Sequence, residues 1–515
     1  MVRATESGIG LSTDSLRYLD VSRSLLRGDG FVISRGKSDE PLTHFAPLYP
    51  VAIAAASKVT GTQPDESARW LQVALMPANV LLIAWLVYRA TGGSPLLTVS
   101  SAAIAAAASA LVQVHRYVLS EALFIFVLTA SIALLTAFFT RRHRAWLIFA
   151  ALFAGAALLA RYAGVALIAS SFVTLLLLGD HHLRRRLTDA LIFTVVALAL
   201  PALWIMRNML AADTAVNRKI EFHLLSETHI NSALSTFATW LLPNGLPESL
   251  NHHLLGMLTA FIVLGLLRHR AKKSVDASWD ARRQSWHAYR PSLTVASAAI
   301  FAIAYMLMLI VSISFVDYYT PLDNRILAPL YPMGLVCAAW MFQRVQQSEA
   351  VSVRRTVSMV AIVLFAGQIV RGGLLYYDTH QQSAGFSNKR WNDSRLLTRL
   401  ATFPEGTPLY SNAPDVIALM TGRKALSLPA QYDAATGIAD DDFATKIQAF
   451  RTRFRGDDDA LLVYFRRVKR PYLPSEGYLR KRIVLRTVYN TAEGAIYKRA
   501  ALTKTDASAV NAASN

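Results

Sequence analysis

Residues 184–206 read RRRLTDALIFTVVALALPALWIM: three arginines, a short polar step, then an apolar run. As a helix this run rises about 1.5 Å per residue, enough to cross most of a hydrocarbon layer about 30 Å thick. Inside lipid a backbone must satisfy its own hydrogen bonds, so such a run has to be helical. The arginines before it belong in the cytoplasmic headgroup layer. One stretch therefore predicts both an element and its orientation.

The rest of the chain repeats the pattern. It has 515 residues, 53% of them hydrophobic, and a formal net charge of +19; its mean hydropathy is +0.33. A second apolar run, LLTVSSAAIAAAASALV, covers 96–112. The basic residues sit between the apolar runs, so their excess orients helices in a bilayer, and no nucleic-acid partner is expected. The single cysteine, Cys337, lies in an apolar run, which excludes an intrachain disulfide and a zinc cluster. This is the composition of a polytopic α-helical membrane protein.

Spans are expected at roughly 67–89, 94–114, 121–140, 145–160, 163–179, 188–206, 253–268, 292–315, 326–343 and 355–375. With that alternation Arg141–Arg144, Arg184–Arg186, Arg268–Lys273, Arg344 and Arg354–Arg355 all fall on one side. That side is cytoplasmic by the positive-inside rule. Residues 1–66, the turn HRYVLSE, the loop 207–252 and everything after 376 then lie outside. The organisation is a first outer loop (1–66), a transmembrane domain of about ten spans (67–375) and an outer domain (376–515). In the outer domain TPLYSN, KALSL, DALLVYF and GAIYKRA read as strands, with helical patterns at NDSRLLTRLATF and DDFATKIQAFRTRF. Strands alternating with helices predict a small α/β domain. Its end, TKTDASAVNAASN, reads as a disordered tail. The basic stretch Arg466, Arg467, Lys469, Arg470 and Tyr472 suits contact with lipid or acidic glycan, or a solvated loop equally well.

The outer segments carry the chemistry. In STDSLRYLDVSRSLLRGDGF (12–31) Ser12 or Thr13 can cap a helix, with Asp14 in its positively polarised first turn and Gly28 and Gly30 at its end. Leu16, Leu19, Val21, Leu25 and Leu26 give it an apolar side that can lie in the interface. Asp14, Arg17 and Tyr18 share one face by their three- and four-residue spacing. A surface helix with a capping acid would show the same pattern.

The pattern D-x-x-R-Y-x-x-x-x-R-x-x-x-x-G-x-G-F, followed by THFAPLYP, resembles the first outer loop of the GT-C glycosyltransferases. The nearest branches are the aminoarabinose transferases of lipid A, the protein mannosyltransferases and related lipopolysaccharide sugar transferases. HRYVLSEALF, LLARYAG, LWIMRN, DNRILAPLYP and SNAPDVIALMTGRKA resemble later pieces of the same family in the same order. The resemblance implies a fold that binds a polyprenyl-phosphate sugar at the outer face of the inner (plasma) membrane. The sugar would pass to a lipid, glycan or protein acceptor. It assigns the catalytic acid to Asp14, a second outer acid to Glu121, and an arginine one helical turn on to Arg17. Where one branch has a phosphate-binding lysine, this chain has Phe45 with His44 beside it. Family members also place a span before the opening acid. Here Asp14 follows only a short polar segment, so the expectation is that a first span precedes Met1.

Glycosyl transfer needs a base near an acceptor hydroxyl and cations for the departing phosphate. A phosphate leaving group needs little protonation, so one base suffices, in contrast with the paired carboxylates of glycoside hydrolases. The outer ends supply Asp14, Glu121, Asp317 and Asp323 as acids and Arg17, Arg116, Arg161, Arg207 and Arg325 as cations. His44, His115 and His223 are possible helpers, and Tyr18 and Tyr162 complete the candidate binding residues. Direct displacement by one base would invert the anomeric centre. Asp14 and Glu121 could also share a divalent metal.

Plainer roles exist for each. Arg161 and Arg207 can snorkel to headgroups. Arg116 can pair locally with Glu121, and Glu121 can simply complement its helix dipole. Tyr18, Tyr49 and Tyr162 suit interfacial anchoring. The competing function is a transporter or flippase with an outer sensing domain. A transporter would be expected to show paired halves, interrupted spans and ionisable groups near mid-membrane. A non-catalytic scaffold would leave the clustered outer acids and arginines without a task.

Overall fold

The computed structural model describes residues 1–6, 8–34, 39–179, 182–241, 256, 292–347 and 350–500. They form two compact units. The expected span at 253–268, the basic cluster Arg268–Lys273 and the tail after 500 lie outside the described residues, apart from Gly256.

The first unit comprises Met1–Arg218, Leu224–Ser314 and Thr320–Ala384. Its helices are α1 (Thr13–Arg27), α2 (Leu48–Thr60), α3 (Pro64–Ala90), α4 (Pro95–Ala107), α5 (Ser109–His115), α6 (Glu121–Arg141), α7 (Arg144–Ala160), α8 (Val165–Leu178), α9 (Leu183–Ala212), α10 (Glu227–Leu241), α11 (Leu293–Phe315), α12 (Asn324–Leu327), α13 (Leu330–Gln346) and α14 (Val351–Gln382). Five of these, α3, α6, α9, α11 and α14, are long and apolar enough to cross a membrane. A sixth span forms if α4 and α5 count as one, although the chain bends by 52° between them. The sequence reading took that stretch as one straight span. Ala108 at the joint has an extended backbone (ψ 123°), so the helical hydrogen-bond ladder breaks there. Each of the other expected spans within the described residues falls on a helix. The chain is a multi-pass membrane protein.

Small side chains let these helices approach closely. A Cβ on Gly155 of α7 would lie 2.4 Å from the Ala197 carbonyl oxygen of α9. Such close backbone contact replaces the hydrophobic drive that lipid cannot supply. The two ends of the bundle differ in kind. At one end Arg89 donates to Thr140, Arg144 faces Asp189 at 3.8 Å, and Gln343 donates to the Thr91 carbonyl. These contacts gather the loops that carry Arg141–Arg144, Arg184–Arg186 and Arg344. At the other end the opening segment is built in: Gly10 donates to the Arg116 carbonyl at 2.8 Å and accepts from Val118 N.

The opening helix α1 starts at Ser12, whose hydroxyl accepts from Ser15 N in a reciprocal cap, and stops at Gly28, left-handed at φ 89°. A two-stranded antiparallel hairpin, β1 (Val32–Ser34) with β2 (Asp39–Pro41), follows. Tyr18 and Tyr49 are not interfacial anchors. They are 4% and 0% exposed and stack edge to face at 5.1 Å in the core. Helix α10 lies within the stretch read as an outer loop. It is anchored by Thr236 Oγ1 donating to the Leu322 carbonyl at 3.0 Å.

The second unit holds Lys219–His223, Phe315–Tyr319 and the chain from Gly385 onward. Its sheet contains β3 (Leu409–Ser411), β4 (Leu426–Ser427), β5 (Leu461–Phe465), β6 (Leu485–Thr491) and β7 (Gly494–Arg499) in the order β4-β3-β5-β7-β6. β3 is parallel to β4 and β5, while β7 runs antiparallel to β5 and β6. Leu396, Leu400, Val416 and Ile417 pack on one face, and Phe450, Phe454 and Leu479 on the other. This is the expected C-terminal α/β domain with one more strand. β6 escaped the reading because it is an edge strand whose residues are mostly half-exposed or exposed. The basic stretch is mostly engaged: Arg466 forks onto Glu476, Arg470 onto Asp415, and Arg467 lies 3.8 Å from Glu493.

Candidate active site

Four charged groups from four parts of the chain meet at the end of the first unit opposite the basic loops. Asp14 comes from the first turn of α1, Glu121 from the first residue of α6, Arg161 from the end of α7, and Arg325 from α12. Arg325 Nη2 donates to Asp14 Oδ2 at 2.5 Å, and its Nε donates to Glu121 Oε1. Arg161 Nη1 lies 2.6 Å from the same Glu121 oxygen. The row therefore runs Asp14, Arg325, Glu121, Arg161, alternating in charge.

Local structure fixes each member. Asp323 caps α12, accepting from Arg325 N at 2.9 Å and Ile326 N at 3.0 Å. Asn324 accepts from Trp240 Nε1 at 2.6 Å, and the Ile326 carbonyl accepts from Tyr305. Asp323, weighed from sequence as an acid of the site, is thus the cap that aims Arg325. Ser120 ties the row to α1. Its hydroxyl is 3.1 Å from that of Tyr18, accepts from Arg161 at 3.4 Å and reaches Glu121 Oε2 at 3.5 Å.

The two acids are not equivalent. The Glu121 side chain is 1% exposed and shares two arginines, whereas Asp14 and Arg325 are each 27% exposed. Burial alone would raise the Asp14 carboxyl. Arg325 by charge and hydrogen bond, with help from Arg161 and Arg17, more than offsets this and holds it below the usual carboxylate range. Arg325 is held well above its ordinary value, against its own burial, by Glu121 and Asp14. Both remain ionised.

Beside Asp14 lies a second group of cations. The Arg17 guanidinium sits 5.7 Å over the Phe45 ring. Phe45 therefore carries a positive charge on its face. His44 packs edge to face on Phe45 at 5.0 Å. Burial, then the charges of Arg218 and Arg17, push its imidazole down to about 4, despite a hydrogen bond to the Asn217 backbone. Arg218 was not singled out from sequence; nothing in a loop reading distinguishes it.

Other candidates are placed differently. Tyr162 donates to the Thr43 carbonyl at 2.9 Å and accepts from Trp204 Nε1 at 3.1 Å. Arg207 donates to the carbonyls of Leu42 at 2.8 Å and Phe31 at 3.0 Å. These two side chains clamp the opening loop from β1 to Phe45. His115 is fully buried, with Nε2 3.0 Å from Asn79 Nδ2 and Nδ1 2.7 Å from the Leu111 carbonyl. Arg116 donates to Thr379 and lies over Tyr117. Neither His115 nor Arg116 enters the row of charges. His223 belongs to the second unit, against Tyr318, as does Asp317.

Asp14 and Glu121 make a poor pair for a shared metal in this arrangement, because the Arg325 guanidinium binds both carboxylates. Among the described residues no group of three or more His, Cys, Asp or Glu side chains is arranged to hold a metal ion.

The fold is the GT-C fold, shared with the solved structures of ArnT and of an archaeal oligosaccharyltransferase. Residues 34–225 match the family model for dolichyl-phosphate-mannose-protein mannosyltransferase. Among solved structures, ArnT from Cupriavidus metallidurans bound to undecaprenyl phosphate aligns with a TM-score of 0.56 at 13% identity, covering 96% of this chain and 95% of that one. Its apo state gives 0.55 with the same identity and coverage. AglB, the oligosaccharyltransferase of Archaeoglobus fulgidus, in complex with an inhibitory peptide and a dolichol-phosphate, aligns at 0.53 and 12% identity. That match covers 89% of this chain and 66% of AglB. No curated protein sequence matches the chain.

Proposed function

We propose that this protein is a glycosyltransferase that moves a sugar from a polyprenyl-phosphate donor to an acceptor hydroxyl on the outer face of the inner membrane. The observation that carries the reading is Arg325 bridging a half-open Asp14 and a buried Glu121 at the end of the bundle opposite the basic loops. ArnT and AglB, with the same fold, have been seen with undecaprenyl phosphate and dolichol-phosphate, which supports a lipid-phosphate donor here.

The reaction follows from the charges. Asp14, ionised and partly exposed, takes the proton of the acceptor hydroxyl as its oxygen attacks the anomeric carbon. The bond from that carbon to the phosphate oxygen breaks, and the electron pair leaves with the lipid phosphate. Direct displacement inverts the anomeric configuration. Negative charge grows on the phosphate, so fixed cations lower the barrier. Arg325, held between the two acids, adds its charge, and Arg17 on the Phe45 ring supplies the charge that the resembling branch takes from a lysine at that place. Arg218 lies close enough to add to the field. His44, uncharged, is suited to hydrogen bonding with a sugar. Glu121 holds Arg325 and Arg161 in place. The reading routes no step through a metal.

Full-length protein in vesicles should transfer a labelled sugar from polyprenyl phosphate to a membrane fraction that supplies acceptor. Cells lacking the protein should accumulate one lipid-linked sugar and lose one envelope modification. Unchanged lipid-linked sugars and unchanged envelope glycans would overturn the reading.

A further inference from the structure

Residues 219–224, KIEFHL, form an irregular segment between α9 and α10 whose alternate residues do different things. Lys219 Nζ reaches Asp433 Oδ2 at 3.4 Å, Glu221 N donates to the Phe315 carbonyl at 2.8 Å, and the His223 ring packs on Tyr318 at 5.0 Å. Ile220, Phe222 and Leu224 alternate with these contacts along the chain. Ile220 is 81% exposed, Phe222 62% and Leu224 77%. Three large apolar side chains so close together and facing water would be costly, because each forgoes its burial. Isolated exposed apolar residues need no explanation, but a contiguous set does.

The anchor at Phe315 says what covers them. Phe315 is the last residue of α11, one of the five helices apolar enough to cross the membrane, so Glu221 is tied to the level where a span ends. Phe222 meets the Phe315 ring at 5.3 Å, and Phe315 is itself 38% exposed. The exposed apolar surface of α11 continues there through Val311, 55% exposed. Phe222 thus adjoins the end of a helix long and apolar enough to cross a membrane. We infer that Ile220, Phe222 and Leu224 are a membrane-docking edge, inserted among lipid acyl chains at the boundary with the headgroups.

The chain's only cysteine, Cys337, makes the test simple. In a Cys337→Ser background, single cysteines at 219, 220, 221, 222 and 224 carry a nitroxide in full-length protein. The protein is placed in phosphatidylethanolamine–phosphatidylglycerol vesicles, with Asp458→Cys, at an 89% exposed side chain, as the aqueous reference. Collision rates with oxygen, which concentrates in lipid, are compared with those of a water-soluble nickel chelate. The expected result is a several-fold higher oxygen-to-nickel ratio at 220, 222 and 224 than at 219 and 221. Aqueous ratios at all five positions would overturn the inference. So would shielding of 220, 222 and 224 from both reagents, which would mean protein covers them.

Discussion

Arg325 holds Asp14 and Glu121 at once, with Nη2 2.5 Å from Asp14 Oδ2 and Nε donating to Glu121. Only the Asp14 end is open, because Glu121 is buried and keeps Arg161 as a second partner. Replacing Arg325 by Gln removes the bridge and a charge that would meet the leaving phosphate. The expected loss is about 10²–10³-fold in kcat. Arg325→Lys keeps the charge but not the fork, so it should fall between. Steady-state kinetics on both variants, with insertion verified, checks the order.

The pH–rate profile follows from two lowered groups. Asp14 lies below its ordinary value, so the base stays ionised and the rate stays level from neutral pH down to about 4. His44 titrates at about 4, so no inflection is expected near the usual histidine value of about 6.5. In Arg325→Gln the offsetting charge is gone while burial remains, and the acid limb should move upward. Stability has the same sign. Both groups bind protons more readily unfolded, so stability falls as pH drops from about 6.5 toward 4 through His44. It falls further below about 3.9 as Asp14 protonates.

Arg207 and Tyr162 hold the opening loop by its backbone. Arg207→Met should destabilise the protein by on the order of 2 kcal/mol, since two charge-assisted bonds to partly exposed carbonyls are lost. Thermal unfolding in detergent measures it. The same variant should raise the donor KM more than it lowers kcat, because the loop positions Phe45 and its Arg17.

Orientation is tested by fusions. A reporter after Arg144 should read cytoplasm, and one after Asp378 should read the outside, since Arg144 lies at the basic end and Asp378 lies near the far end of the last long helix, which ends at Gln382. Identical signals would overturn the topology.

The spans were legible because lipid enforces length and apolarity, and the loops because arginines are asymmetric across a bilayer. Asp14 and its helix were legible through local chemistry: Ser12, the first-turn acid and Gly28. The row Asp14, Arg325, Glu121, Arg161 was legible only as four candidates, because sequence does not say which span ends converge. Ser120 was hidden in plain view beside Glu121. Arg207 and Tyr162 looked like ligand groups, but their partners are backbone carbonyls, which no side-chain pattern announces. The break at Ala108 left no sign in a run of alanines, which fit a helix on both sides of it.

The most direct test of the central claim is single-turnover sugar transfer by Asp14→Asn in vesicles loaded with the polyprenyl-phosphate donor. Asn keeps the shape and most of the hydrogen bonding of Asp14 but cannot accept the proton. With insertion and melting temperature unchanged, the rate should fall about 10²–10⁴-fold. A wild-type rate would contradict the account and leave Asp14 as nothing more than a first-turn acid of α1.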